Sequence, residues 1–289
     1  MTESPEVWTV LRVLQWSEGF LARKGIQSPR TEVDLLLAES LKARRLDLYV
    51  KFERVLSKEQ LAGFRELLLR RAAREPSAYI LGRREFYGMP FKVDRRALIP
   101  RPETEHLVDA VLDETRETDA PRILDVGTGC GCIAAALATK RKEAHLTATD
   151  ISEDALSLAR ENFAALGLSG RIRAIRSDLF SGLSASLKGT FDGVASNPPY
   201  VAEADRPSLQ PEVISYEPLG ALFGGADGLD VIRRLVAESK EWLKPNGLLA
   251  FEIGAGQAAD VGALLKSGGF ERVSFRKDYA GIERVACAR

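Results

Sequence analysis

The chain has 289 residues, of which 45% are hydrophobic and 28% charged, and its 41 basic and 41 acidic residues give a formal net charge of zero. We therefore expect a soluble globular protein with one large domain and a smaller companion. No stretch approaches the ~20 apolar residues of a membrane span, and the first residues lack the features of a signal peptide, so we expect a cytoplasmic protein without a membrane partner.

Two of the three cysteines, Cys130 and Cys132, stand in one glycine-rich loop. Because their number is odd and two are crowded together, we expect no disulfide framework. The Cys-Gly-Cys spacing does not suit a zinc site, and only His106 and His145 are present to complete one, so we expect no metal.

Apolar residues recur with the 3.6-residue period of a helix through the first ~75 residues, which predicts a small helical bundle. Start signals agree, since Ser28 precedes a proline at a first helical position and Ser57 to Gln60 has capping-box spacing. The predicted apolar faces are Val7, Val10, Leu11 and Leu14; Val33, Leu36, Leu37 and Leu41; and Leu61, Phe64, Leu67 and Leu68.

A basic segment lies within this bundle. Residues 42–74 contain ten basic and four acidic residues, so the segment has a net charge of +6 and the rest of the chain −6. Two interpretations stay open: a solvated helix face, or a docking surface for an acidic or nucleic-acid-associated partner.

The remaining chain changes from helical to mixed character. Residues 85–93 predict a β-hairpin that links the domains, and beyond Pro121 strands alternate with helices. This alternation predicts an α/β fold with a parallel, doubly wound sheet, whose ligands bind at the carboxyl ends of the strands. We predict a helical domain at 1–80, a linker at 81–100 and the sheet domain at 101–289. The predicted strands are 122–126, 145–150, 172–178, 191–197, 247–253, 272–276 and 284–289.

Four of the predicted strands end in a polar side chain, and the first continues into a glycine loop, Gly127-Thr128-Gly129-Cys130-Gly131. The loop either lets backbone N–H groups approach a nucleotide-type ligand or provides turn geometry alone. Its spacing departs from a dinucleotide fingerprint, because Cys132 stands where that pattern has glycine.

The acids at these ends favour S-adenosylmethionine as the ligand. Asp125 suits its ammonium group, which NAD lacks, and Asp150 suits its ribose hydroxyls. Asp178 suits the adenine amino group, with Leu179 as an apolar floor beneath the ring. Asp150 and Asp178 have an alternative role as helix caps or turn residues.

The fourth end carries Asn197-Pro198-Pro199-Tyr200. The prolines make this stretch rigid and extended, with bare carbonyls. A planar amino group, on an amide or an adenine, is a poor nucleophile because its lone pair is delocalised. The Asn197 side-chain oxygen and the Pro198 carbonyl can each accept one of its hydrogens and direct the lone pair at a methyl donor, while Tyr200 covers the group. An ordinary loop is the other interpretation.

Longer stretches resemble the HemK family, the N5-glutamine methyltransferases of peptide chain release factors. They include "ALIPRPETEHLVD", "ILDVGTGCGCIAAALA", "FDGVASNPPYV" and "EPLGALFGGADGLD", and the resemblance covers nearly the whole chain. It implies a Rossmann-like class I methyltransferase sheet with a helical N-terminal domain that docks the release factor. The sequence departs from the family pattern at Cys130, Cys132 and Leu179.

The resemblance also implies an activity: methylation of the glutamine in the Gly-Gly-Gln motif of class-1 release factors, which modulates translation termination, with S-adenosylhomocysteine as product. Cofactor contacts would come from Gly127 to Gly131, Asp150, Leu179 and Asn197, and substrate contacts from Asn197 to Tyr200. Alternatives are glutamine methylation of a ribosomal protein, DNA adenine-N6 methylation, and a non-catalytic cofactor-binding module. We expect no direct nucleic-acid partner, because no separate domain for reading bases is evident.

Overall fold

A computed structural model describes residues 7–289, which form two compact units. The helical unit extends to Gly82 and also contains Gln210–Tyr216, and the sheet unit comprises Arg83–Leu209 and Glu217–Arg289. The domain boundaries at 80 and 100 stay predictions. The absence of a signal peptide also stays a prediction, and the first six residues lie outside the described part.

The helical unit consists of short helices around one apolar core. They are α1 (Val10–Arg23), α2 (Pro29–Ser40), α3 (Arg45–Val50), α4 (Lys58–Ala72), α5 (Ser77–Leu81) and, from far along the chain, α9 (Pro211–Tyr216). Of the predicted apolar positions, Val10, Leu14, Phe64 and Leu68 are buried, but Val7 and Leu11 are exposed. The prediction was wrong for Val7 because α1 begins only at Val10, and for Leu11 because the buried face of α1 consists of Val10, Val13, Leu14 and Leu21.

The two predicted helix starts differ in how they are capped. Ser57 Oγ accepts a hydrogen bond from the Gln60 N–H, and Gln60 Oε1 accepts one from the Ser57 N–H, which confirms the capping box. Ser28 does precede Pro29 at the first position of α2, but its φ is 48° and its side chain makes no capping hydrogen bond.

The sheet unit begins with the predicted hairpin, β1 (Arg83–Phe86) paired antiparallel with β2 (Met89–Lys92). A seven-stranded sheet follows, with helices between most of its strands. Its strands are β3 (Arg122–Val126), β4 (His145–Asp150), β5 (Ile172–Arg176), β6 (Phe191–Ser196), β7 (Leu243–Glu252), β8 (Val273–Lys277) and β9 (Glu283–Ala288). Its helices are α6 (Glu105–Glu114), α7 (Cys132–Lys140), α8 (Glu153–Ala165), α10 (Asp230–Ser239) and α11 (Ala258–Ser267).

The strand order is β5-β4-β3-β6-β7-β9-β8, and the five strands from β5 to β7 are parallel. β9 runs antiparallel to both β7 and β8, so the sheet is not wholly parallel as predicted. The reason is the connection: only residues 278–282 join β8 to β9, too few for the crossover that a parallel pair requires.

Register places the candidate site at one edge of this sheet. Asp125 of β3 lies opposite Ala148 of β4 and Ala195 of β6, and Ser196 lies opposite Phe251 of β7. Because these strands are parallel and adjacent, their carboxyl ends meet at the same edge. Beneath this edge lie buried side chains of the central strands, including Leu124, Val194, Leu249 and Phe251.

No helix within residues 7–289 combines the length and the apolar character needed to cross a membrane.

Candidate active site

The glycine loop between β3 and α7 has an open backbone. Gly127, Gly129 and Gly131 have φ values of 72°, 57° and 86°, which side chains rarely adopt. A Cβ on Gly127 would contact nothing within 4 Å, whereas one on Gly131 would lie 2.5 Å from the Phe163 ring. Gly131 is therefore required by packing, and Gly127 leaves free space beside the loop.

Asp125, one residue before the end of β3, is completely buried. Its Oδ2 accepts hydrogen bonds from Thr128 Oγ1 at 2.6 Å and from the Ala134 N–H at 3.1 Å. Its Oδ1 is buried and has no hydrogen-bond partner in the described part of the chain. Burial raises the pKa of this carboxyl to about 7. A buried oxygen without a donor fits a cationic ligand group such as the ammonium of S-adenosylmethionine.

Asp150, at the end of β4, contacts the same loop. Its Oδ2 accepts from the Gly129 N–H at 2.9 Å, and its Oδ1 accepts from the Ser152 N–H at 2.9 Å. Burial raises the pKa of Asp150 although these hydrogen bonds act in the opposite direction. The residue that caps α8 is Ser152, through the Ala155 N–H, so Asp150 bridges the glycine loop and the turn before that helix.

Asp178 and Leu179 follow β5, and hydrogen bonds do not connect them with Asp125 or Asp150. The Asp178 side chain is 46% exposed, and its Oδ2 accepts from Arg234 Nη2 at 3.0 Å. Leu179 is 9% exposed and has φ of 49°, an uncommon conformation for leucine. Ser177 Oγ donates to the Leu179 carbonyl at 2.8 Å and thereby supports this turn.

Asn197 and Pro198, directly after β6, provide two acceptors without a donor. Asn197 is half-buried and donates through Nδ2 to Thr104 Oγ1 at 3.2 Å, and Pro198 is buried. Neither Asn197 Oδ1 nor the Pro198 carbonyl takes part in a hydrogen bond within residues 7–289. The half-buried Pro199 and Tyr200 follow, and Gln257 Nε2 donates to the Tyr200 carbonyl at 3.0 Å.

A buried carboxylate, Glu252, lies behind this motif and was missed by the sequence analysis. It is 1% exposed, and its Oε2 accepts from Thr104 Oγ1 at 2.6 Å while its Oε1 accepts from the Tyr200 hydroxyl at 3.0 Å. Burial raises the pKa of Glu252; burial and the Glu252 charge raise the pKa of Tyr200. The strand-end rule offered a signal, because Glu252 is the last residue of β7.

Three comparisons with known proteins bear on this site. A family described as "PrmC N-terminal domain" matches residues 12–82, and one described as "Methyltransferase small domain" matches residues 104–217. The second range contains the glycine loop, Asp150, Asp178 and the Asn197 motif.

Curated relatives match over the whole chain. A release factor glutamine methyltransferase of Geobacter sulfurreducens is 43% identical, covering 100% of this chain and 99% of the relative. One of Rhodopirellula baltica is 40% identical, covering 98% and 97%. Among solved structures, the human Mettl16 catalytic domain in complex with a MAT2A 3'UTR hairpin has a TM-score of 0.58 at 18% identity, covering 77% of this chain and 81% of that chain. At that identity the likeness shows the fold alone.

Proposed function

Since the chain belongs to the release factor glutamine methyltransferases, we propose that it methylates the side-chain nitrogen of the glutamine in the Gly-Gly-Gln motif of class-1 release factors. The methyl donor is S-adenosylmethionine. The observation that carries the proposal is the pair of acceptors on consecutive residues, Asn197 Oδ1 and the Pro198 carbonyl, at the carboxyl end of β6. A primary amide has two N–H groups, and two acceptors match them.

The cofactor residues are proposed on the geometry of the loop. The unpaired Oδ1 of Asp125 and the open backbone at Gly127 suit the amino-acid end of S-adenosylmethionine. Asp150 suits the ribose, and Asp178 with Leu179 suits the adenine; Thr128, Gly129, Cys130 and Gly131 complete the loop. When bound there, S-adenosylmethionine would supply an electrophilic methyl group on its sulfonium and would be left as S-adenosylhomocysteine.

The substrate residues hold and orient the glutamine amide. Asn197 Oδ1 and the Pro198 carbonyl accept its two N–H groups, so the nitrogen lone pair is directed away from them. Pro198 and Pro199 keep this stretch rigid, and the Tyr200 ring, whose hydroxyl donates to Glu252, covers the planar group. The methylated nitrogen is acidic and loses its extra proton to water, so no side chain is assigned as a base.

We propose the helical unit as the part that docks the release factor. Four basic side chains of segment 42–74 form no ion pair within residues 7–289: Lys51, Arg54, Lys58 and Arg65. All four are exposed, and exposed hydrophobic residues such as Val50 and Phe52 lie beside them in the chain. We also propose a cytoplasmic enzyme without a direct nucleic-acid or membrane partner, acting on a protein of the translation machinery.

The test is mass mapping of a methylation reaction. Incubation of the enzyme with S-adenosylmethionine and unmodified release factor should add one methyl group to the Gly-Gly-Gln glutamine. The Asn197→Ala variant should lose turnover by roughly 100-fold while cofactor affinity changes less, because Asn197 mainly positions the amide. A release factor that stays unmodified while a ribosomal protein or DNA is methylated would reject the proposal, and so would an Asn197→Ala variant with full turnover.

A further inference from the structure

A chain of three hydrogen bonds extends behind the proposed amide site. Asn197 Nδ2 donates to Thr104 Oγ1 at 3.2 Å, Thr104 Oγ1 donates to Glu252 Oε2 at 2.6 Å, and the Tyr200 hydroxyl donates to Glu252 Oε1 at 3.0 Å. Thr104 is 2% exposed and Glu252 is 1% exposed, so water has little access to these partners. Together these four residues form what we call the Glu252 network.

The direction of each bond follows from donor counting. A carboxylate only accepts, and each Glu252 oxygen faces a hydroxyl, so both hydroxyls donate to it. Thr104 has a single hydroxyl hydrogen, and it is already donated in the hydrogen bond to Glu252. Toward Asn197, Thr104 can therefore only accept, and the group that Asn197 presents to it must be the Nδ2 amide.

This matters because packing alone does not select an asparagine orientation. The side-chain oxygen and nitrogen have nearly the same size and shape, so a half-turn of the amide leaves the contacts almost unchanged. Only a hydrogen-bond partner of fixed polarity distinguishes them. In the flipped state, Nδ2 would face the substrate amide, and a donor would meet an N–H group.

We propose that Thr104 and Glu252 are positioning residues that set the polarity of the Asn197 amide, so that Oδ1 rather than Nδ2 is presented to the substrate. This inference rests on the proposed function, because it assumes that the Asn197 amide faces an N–H donor of the substrate. The carboxylate of Glu252 sets the direction of these hydrogen bonds, because it can only accept. A glutamine there could donate to Thr104, whose hydroxyl would then donate to Asn197 Oδ1 and favour the flipped amide.

The kinetic test compares two changes at Thr104. Thr104→Val keeps the shape but removes the hydroxyl, and kcat should fall by roughly 10-fold or more while the Kd for S-adenosylmethionine stays within about twofold. Thr104→Ser keeps the hydroxyl and should restore most of kcat. The matched control is Thr115→Val, because Thr115 is also buried in the sheet unit and its hydroxyl donates to the Val111 carbonyl outside the network.

A second readout follows the amide itself. The chain contains three asparagines, Asn162, Asn197 and Asn246, so selective ¹⁵N labelling of asparagine gives three side-chain NH₂ signals. The Asn197 signal, identified by its loss in Asn197→Asp, should shift in Thr104→Val and divide between two environments in Glu252→Gln. It should change little in Thr104→Ser, and the Asn162 and Asn246 signals should stay in place.

The outcomes separate this inference from the proposed function. If wild type methylates the glutamine but Thr104→Val retains full kcat, the positioning role is overturned while the function stands. Loss of kcat and cofactor affinity in parallel, or no rescue by serine, would also overturn it. If wild type does not methylate release factor, the proposed function fails, and the NMR signals still test the polarity: an unchanged Asn197 signal in both Thr104→Val and Glu252→Gln rejects it.

Discussion

At the scale of single residues, the two buried carboxylates of the site, Asp125 and Glu252, differ in their hydrogen bonding. Asp125 has one oxygen without a donor, whereas each oxygen of Glu252 accepts a hydroxyl hydrogen. Burial raises the pKa of both groups. The free acceptor of Asp125 therefore lies inside the protein, and Glu252 acts on other side chains within it.

The burial of Asp125 predicts a pH effect on stability. Its pKa lies near 7 in the folded protein and near 3.8 when unfolded, so the folded state binds the proton more tightly between these values. The free energy of unfolding of wild type, relative to Asp125→Asn, should therefore decrease by roughly 2 kcal/mol from about pH 5 to pH 7 and stay level above. Urea unfolding of the ligand-free proteins across this range provides the measurement. A difference that does not change with pH contradicts this prediction.

At the scale of elements, α9 belongs to the helical unit although it follows the Asn197 motif in the chain. The Arg71 guanidinium, whose side chain is 5% exposed, donates to Glu32 at 2.7 Å and to Glu212 of α9 at 2.8 Å. Arg74 also lies 3.4 Å from Glu212. The ion pairs of a buried arginine thus connect two helices of the unit with a distant segment.

Removing the Glu212 charge should destabilise the helical unit. Burial alone would raise the pKa of Glu212. The hydrogen bond from Arg71 and the charges of Arg71 and Arg74 outweigh burial and hold this pKa below its ordinary value. Glu212→Gln should therefore lower the free energy of unfolding by roughly 1–3 kcal/mol near neutral pH, because Arg71 keeps only one charged partner. The effect is present above the ordinary glutamate pKa and disappears as pH falls through the lower folded value.

The control for this measurement is Glu203→Gln, since Glu203 pairs with Arg206 where both side chains are about half exposed. By urea unfolding, its effect should stay below about 0.5 kcal/mol. Equal effects of the two changes would show that burial of the Arg71 pairs contributes nothing.

The elements themselves were largely predictable. The predicted hairpin and all seven predicted strands of the large sheet occur, because alternating and continuous apolar runs reflect local backbone requirements. The prediction of a wholly parallel sheet was wrong for β9, since the alternation of strands and helices does not reveal that a short turn joins β8 to β9.

At the scale of the whole molecule, the neutral net charge conceals an uneven distribution. Segment 42–74 carries +6, but many of its basic side chains pair with acids of the helical unit, for example Arg45 with Asp34 and Arg70 with Glu75. The exposed cations without an ion pair in the described residues, among them Lys51 and Arg54, are those proposed for docking.

Charge reversal at Lys51 and Arg54 tests that proposal. The double variant Lys51→Glu, Arg54→Glu should raise the KM for release factor roughly fivefold and leave kcat unchanged, because it weakens encounter rather than chemistry. The difference should shrink as salt increases. Steady-state kinetics at two salt concentrations provide the measurement. The control is Lys142→Glu, Arg173→Glu, two exposed cations of the sheet unit, and a similar change in KM for both variants would contradict docking by the helical unit.

The sequence alone determined the fold class, the family and most groups that gather at the sheet edge, because a parallel sheet brings the carboxyl ends of its strands together. It did not reveal the bonds of Thr104 to Asn197 and to Glu252, since 93 and 148 residues separate the partners and hydrogen bonds across such distances follow no local pattern. Only the tertiary structure decided which atoms of Asp125, Asn197 and Pro198 keep a free acceptor, because that depends on where every neighbouring donor is already used.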